Sequence, residues 1–477
     1  MNAPATALTF LIGIVAAAAA IGLLTGRRRQ VDLEQWAVAG RGLGLLLVWI
    51  LLAGETFTTF SVLGLSGWVY GKGGPTLYIF GYLILAYVIN FFVGPPIWEV
   101  GRRHGLQTLG DFFAKCYGSR VLTAVVALAG IVFLIVYLQL QLTGLGIIVG
   151  IASFERVGRT YAMVVPTAVV VAFVLVSGVR GVTWVSVLKD FLLVGVAFVV
   201  GLGLPYIHFG GIGPMFAAMT REHPGHLTMP GGTPNLTHSW YITTVLVNSC
   251  LFAWPHFFGS VFTAKSADTV RRNTILMPLY VVPLALMFFA GCAAFLVVPG
   301  LKVPDLALLT VVRTTFPPWL LGVIGAAGAL TAMVPAAIQI LSASTLLAKN
   351  LYRPFFAPGL SDEGIGRVAH WAVPFIAGLA LYLALHSSTT LVGLLLLAYS
   401  GISQFAPGIV LGLAWRRVTT AGILAGLVAG LAIAGGLTFA HLDPYLGANA
   451  GFWGLAANLA LVVGVSLGAP RPVPGFD

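Results

Sequence analysis

Apolar residues run along this chain in long blocks, cut at intervals by clusters of charge and by Gly/Pro turns. A hydrocarbon core about 30 Å thick is crossed by about 20 apolar residues in a helix. Cutting the chain on that rule predicts thirteen spans, near 7–26, 43–71, 76–98, 121–150, 161–179, 181–205, 239–263, 274–299, 318–347, 368–388, 389–413, 418–440 and 449–468. Several exceed 25 residues, so tilts, kinks or breaks are expected in them. The expected class is an all-α polytopic membrane protein with a single transmembrane domain over 1–477.

Composition agrees with that pattern. Of 477 residues, 58% are hydrophobic, 8% are charged and the mean hydropathy is +0.98. A soluble domain carries about 25% charged residues, so soluble enzymes, disordered chains and disulfide scaffolds are excluded. Cys116, Cys250 and Cys292 are scattered without metal-ligand spacing, which implies neither a disulfide framework nor a zinc site. The first span has no basic residue before it and Arg27-Arg28-Arg29 after it, the reverse of a cleaved signal's flanks.

The net charge of +11 acquires a use once the spans are drawn. Eighteen basic residues fall on one side of the thirteen-span arrangement, six on the other, and Lys189 on neither. Positive residues are retained on the cytoplasmic side, so the N-terminus is expected outside and the C-terminus in the cytoplasm, in the cytoplasmic (inner) membrane. The long outer loop near 206–238 carries His208, His223, His226 and His238 at irregular spacing, expected to be solvated rather than metal ligands.

Polar chemistry inside the spans is costly, at least about 2.5–3.5 kcal/mol for a charge at mid-span on insertion scales. Glu55 sits in Gly54-Glu55-Thr56-Phe57-Thr58-Thr59 in the second span. A helix opened there turns carbonyls and hydroxyls toward a small polar solute. The seventh span is interrupted at Asn248-Ser249-Cys250 and Trp254-Pro255-His256. Spans two and seven would each open a five-helix unit, 43–205 and 239–413. With an odd number of spans, the second unit is inverted. Interrupted helices at matching places in inverted repeats point to a transporter's central site. The first helix at 7–26 and the two at 418–468 are then peripheral. Lys189-Asp190 lies about eight residues into the sixth span. Adjacent helical residues point about 100° apart, so no simple face pair between them is expected; once buried, the lysine either loses its proton or keeps it beside a carboxylate such as Glu55. Gln139 and Gln141 are further polar intrusions.

These residues resemble the sodium/solute symporter family over about 36–413. The matching pieces are Ala39-Gly40-Arg41, Phe60-Ser61-Val62-Leu63-Gly64, the run from Arg102 through Gly105 and Gly110 to Phe112, the Tyr137 to Gly146 run, Thr263-Ala264-Lys265-Ser266 and Arg271-Arg272-Asn273. Trp254-Pro255-His256, the Ala-Lys-Ser turn and Leu188-Lys189-Asp190 look most like the monocarboxylate-permease branch. The resemblance implies thirteen spans, the inverted five-plus-five (LeuT-like) fold, and alternating-access transport of a small organic solute.

Two departures stand out. The family places a hydroxyl pair for sodium fifteen and sixteen residues before the acidic residue of a D-[IL]-Y ending; counting back from Asn350-Leu351-Tyr352 gives Val334 and Pro335. The family's aspartate eight residues after a glycine falls on Lys189, counted from Gly181. The sodium site therefore reads as degraded, with the ammonium of Lys189 standing in for the ion and coupling to H+ or to no ion. Glu55, Lys189 and Asp190 are the expected coupling residues; Thr56, Thr58, Thr59, Gln139, Trp254 and His256 are the expected solute neighbours. No cofactor, catalytic motif or nucleic acid is expected. The alternatives are a sodium-coupled symporter of an amino acid, sugar or vitamin, a membrane sensor, or a redox subunit.

Overall fold

The computed structural model describes residues 2–26, 33–230 and 235–468. Arg27, Arg28, Arg29 and Arg471, which enter the charge count above, lie outside the described residues. All regular elements among the described residues are helical, with only two isolated bridges, Leu43 to Ala264 and Tyr445 to Ala448, in extended pairing.

Among the described residues, ten helices are long and apolar enough to cross a membrane, or eleven when one bent pair is taken as a single span. The thirteen segments drawn from hydropathy differ from this at three places, each for a physical reason. The 43–71 segment is the bent pair, Leu45–Thr56 and Phe60–Lys72, at 57° to each other. The 161–179 and 181–205 segments form one 51-residue run, Arg159–Phe209. At about 1.5 Å per residue that run is more than twice a bilayer core in length. It is broken at Gly178, whose φ of 55° lies in the left-handed region, where glycine alone carries no steric cost. The 239–263 segment is two short helices, His238–Asn248 and Pro255–Val261, joined by a tight turn at Cys250–Ala253.

Burial separates the helices by role. Pro318–Phe356 is 94% buried in its most apolar stretch, whereas Ala3–Thr25 is only 22% buried and the two C-terminal helices 33% each. The long buried helix packs on Arg120–Ala152, on Arg159–Phe209 and on the first helix. Water-driven burial is weak between membrane helices, so such a centre relies on close van der Waals packing. The stretch from Gly325 to Ala329 is accordingly Gly and Ala throughout.

The histidine-bearing loop departs from the expectation. His208, His223 and His238 are exposed, but His226 is half-buried: its Nε2 lies 2.8 Å from the Val69 carbonyl and its ring stacks on Phe295 at 3.8 Å. Burial holds its pKa below the ordinary imidazole value. No group of three metal-ligating side chains exists among the described residues.

Candidate functional site

The two halves of the bent span part at Phe57, which adopts an extended conformation (φ −95°, ψ 90°). The second half begins with a wide turn at Phe60–Gly64. A helix ending in mid-membrane leaves carbonyls on one side and N–H groups on the other without partners. Thr58, Thr59 and Thr56 take up part of that demand. The Thr59 N–H and hydroxyl both donate to Gln141 Oε1, at 3.3 and 2.8 Å, the Phe60 N–H donates to Thr58 Oγ1 at 3.3 Å, and the Thr56 hydroxyl donates to Leu52 O at 2.8 Å.

The free carbonyls are met by a cation. Lys189 is fully buried, and its Nζ donates to Gly54 O at 3.3 Å and to Phe57 O at 3.2 Å. The same nitrogen lies 2.9 Å from Asp190 Oδ1, and the Tyr280 hydroxyl donates to Asp190 Oδ2 at 2.7 Å. The expectation that neighbours 100° apart would not pair is corrected here: the four-carbon stem of lysine lets the ammonium fold back over the adjacent carboxylate. The partner of the lysine is therefore Asp190 rather than Glu55. A buried ion pair repays its desolvation only when further hydrogen bonds complete it, and Tyr280 with the two carbonyls does so. Val334 stands at the same place: a side chain built on Gly54 would lie 3.5 Å from Val334 Cγ1 and 3.0 Å from Ser186 Oγ. Pro335, next along the buried helix, likewise brings no side-chain oxygen.

Glu55 faces the other way. One of its oxygens accepts from the Ser260 hydroxyl and the other, buried, has no partner. It lines a small cavity of about 10 Å³, room for about one water, together with Thr56, Tyr82, Tyr137, Trp254, His256 and Tyr399, closed by apolar side chains. Trp254 is held extended (φ −65°, ψ 130°) by Pro255 behind it, as the residue before a proline is. That puts its ring 4.7 Å from Tyr137 and 5.4 Å from Tyr399, centre to centre. His256 Nδ1 is buried without a partner, as are both amide atoms of Asn248.

Of the expected solute neighbours, Thr56, Trp254 and His256 meet at this cavity beside Glu55. Thr58 and Thr59 support the break, and Gln139 is buried on Arg120–Ala152 away from the lining, while Gln141 makes the contact to the break. A second small cavity of about 20 Å³ also borders His256, which lines both; Ser260, Gln107, Thr108, Ser342 and Thr345 border it. Ser344 and Thr345 turn their hydroxyls onto carbonyls of their own helix, Ile340 O and Leu341 O. Sequence reasoning missed Tyr82, Tyr399, Ser260, Ser186 and Tyr280. Tyr137 stood in a quoted run but carried no assigned role.

Comparison with known proteins gives the following. The profile of the sodium:solute symporter family matches residues 36–430. The chain is 38% identical to "Uncharacterized symporter YhjB" of Bacillus subtilis (strain 168), covering 98% of this chain and 97% of that protein. It is 27% identical to "Monocarboxylate transport permease protein" of Rhizobium johnstonii, over 98% of each. Among solved structures, a substrate-bound, outward-open Na+-coupled sialic acid symporter matches 99% of both chains with a TM-score of 0.82 at 17% identity. That likeness fixes the LeuT-like helical architecture.

Proposed function

The chain belongs to the sodium:solute symporter family, an integral membrane transporter and not an enzyme, and from that premise we propose that it imports a small monocarboxylate together with a proton, with Lys189 taking the place of sodium. One observation carries the reading: the Lys189 ammonium bonds the Gly54 and Phe57 carbonyls of the broken helix while Val334, beside Gly54, supplies no oxygen. Sodium needs several oxygen ligands. Here the carbonyls are already occupied by a cation that the chain provides itself. The relative named as a monocarboxylate transport permease supports the solute class.

In this reading the cavity beside Glu55, which holds about one water in this conformation, widens to receive the solute. An ionised Glu55 repels an incoming carboxylate, and a protonated one does not; proton and acid anion then cross as a neutral pair. Tyr82, Tyr137, Tyr399 and Trp254 offer O–H and N–H donors to the carboxylate and aromatic faces to its short apolar body. The repeats 43–205 and 239–413 rock against one another to open the cavity to each side in turn. The N-terminus lies outside the cytoplasmic membrane.

Uptake into proteoliposomes under separately imposed gradients tests this. A pH gradient, acid outside, drives accumulation of radiolabelled lactate or pyruvate, and a sodium gradient alone does not. Sodium-dependent uptake indifferent to the pH gradient overturns the surrogate-lysine reading. Tighter binding of sugars or amino acids than of small acids overturns the solute class.

A further inference from the structure

On the side of the molecule where the second half-helix of the bent span ends, the chain between two long helices folds back over that half-helix. Tyr70 fastens it: its hydroxyl donates to Val298 O at 2.8 Å and accepts from the Leu301 N–H at 2.9 Å. Pro304 packs on Gly71, and Asp305 is laid against Gly67 so closely that a side chain there would come within 2.9 Å of Asp305 Oδ1 and of Pro304 O. Asp305 is 4% exposed. Its Oδ2 accepts from the Leu391 N–H at 3.0 Å, the first residue of helix Leu391–Ile402, and its Oδ1 is buried without a partner. The two helices that Asp305 ties together are those that line the cavity with Phe60 on one side and Leu395 and Tyr399 on the other.

We propose that Asp305 is a second proton-binding site, on the outer face, whose protonation holds a clasp closed over the solute cavity. Charge at this position is poorly served. The ionisable groups on the surrounding elements are Tyr70 and Lys72 on the second half-helix, Arg313 on Ala307–Thr315, Lys302 in the same stretch, and Tyr399 on the facing helix. None of them bonds Asp305: Tyr70 is committed to Val298 and Leu301, and Arg313 reaches Glu155 at 3.5 Å. His226, beyond Val69, is committed to that carbonyl.

Burial pushes the Asp305 carboxyl up to about 6, against the modest help of the Leu391 N–H. A carboxyl exposed by opening the clasp returns to about 3.9. The closed form therefore binds the proton more tightly. Its extra stability is complete below about pH 4 and is lost as the pH rises through about 6, so acid closes the clasp and neutral pH loosens it. The inference rests on the alternating-access reading and not on which ion is coupled.

Labelling of a cavity cysteine from outside tests the clasp. Intact cells carrying Leu395→Cys, with and without Asp305→Asn, are treated with a membrane-impermeant maleimide from about pH 5 to about pH 7.5. Taking the ratio of the two rates cancels the reagent's own pH dependence and that of Glu55. The ratio rises about tenfold across this range, below the ceiling of about a hundredfold that a two-unit difference in pKa allows at lower pH, because Asp305→Asn stays closed throughout. A flat ratio, or an Asp305→Asn protein labelled as fast as its parent at neutral pH, overturns the proposal. Should Asp305→Asn not reach the membrane, Gly67→Ala pushes the stretch off the half-helix and gives fast labelling at every pH; slow labelling there overturns the proposal equally. A flat ratio in cells that still take up solute sinks the clasp and leaves the transport reading standing.

Discussion

The two faces of the broken helix, a few ångströms apart, are finished differently. On one face the Lys189 ammonium lies 2.9 Å from Asp190 and bonds the Gly54 and Phe57 carbonyls, and Tyr280 bonds Asp190, so each charge faces its opposite. On the other, Glu55 keeps an oxygen unpartnered and faces a cavity, with His256 Nδ1 also unmatched. Buried polar groups in proteins are nearly always bonded, and the unmatched atoms of Glu55 and His256 are the ones that border this cavity. In the reading proposed above, the Lys189 face holds the helix open and the Glu55 face receives the ligand.

Lys189→Met attacks the completed face and carries the largest effect. It strands Asp190 and two carbonyls in an apolar interior, where breaking a buried pair costs about 3–5 kcal/mol. Expected are a large drop in melting temperature in detergent and loss of uptake; normal uptake would show the ammonium to be a bystander. Glu55→Gln attacks the incomplete face and separates coupling from binding. Solute exchange at equal concentrations persists within about threefold, while accumulation against a gradient driven by pH is abolished. Equal loss of both would place Glu55 in the support and not in the coupling.

Tyr137→Phe and Tyr399→Phe sharpen the comparison further. Each removes one hydroxyl from the cavity and weakens solute binding about three- to tenfold, the value of about 1 kcal/mol for a net hydrogen bond, with only a small fall in melting temperature. Thr59→Val probes the support of the break through Gln141 and is the mildest. It costs about 1–2 kcal/mol of stability, by leaving Gln141 Oε1 short of a donor, and alters solute affinity by less than twofold.

Much of this was legible in the residue pattern. Apolar run lengths located the helices, and Gly54 to Thr59 and Trp254-Pro255 located the breaks, because mid-membrane polarity and proline carry local costs that sequence displays. A single charged pair inside a span located the cation. Partners could not be read in the same way. Ser260 meets Glu55 across 205 positions and Tyr280 meets Asp190 across 90, and no local period records such meetings. Tyr82 and Tyr399 look like ordinary apolar filling until the fold turns them toward one cavity. The Lys189 to Asp190 contact was misjudged because helix angles describe Cβ directions, and a lysine reaches well beyond its Cβ.

The ammonium held at the break is tethered to the backbone by its own side chain. A dissolved ion occupies a site in proportion to its concentration and empties it on dilution; a tethered one obeys no such mass action. On the reading proposed above, the positive charge at the helix break therefore does not depend on the salt outside, and no step of the cycle consists of waiting for a dissolved ion to fill that place.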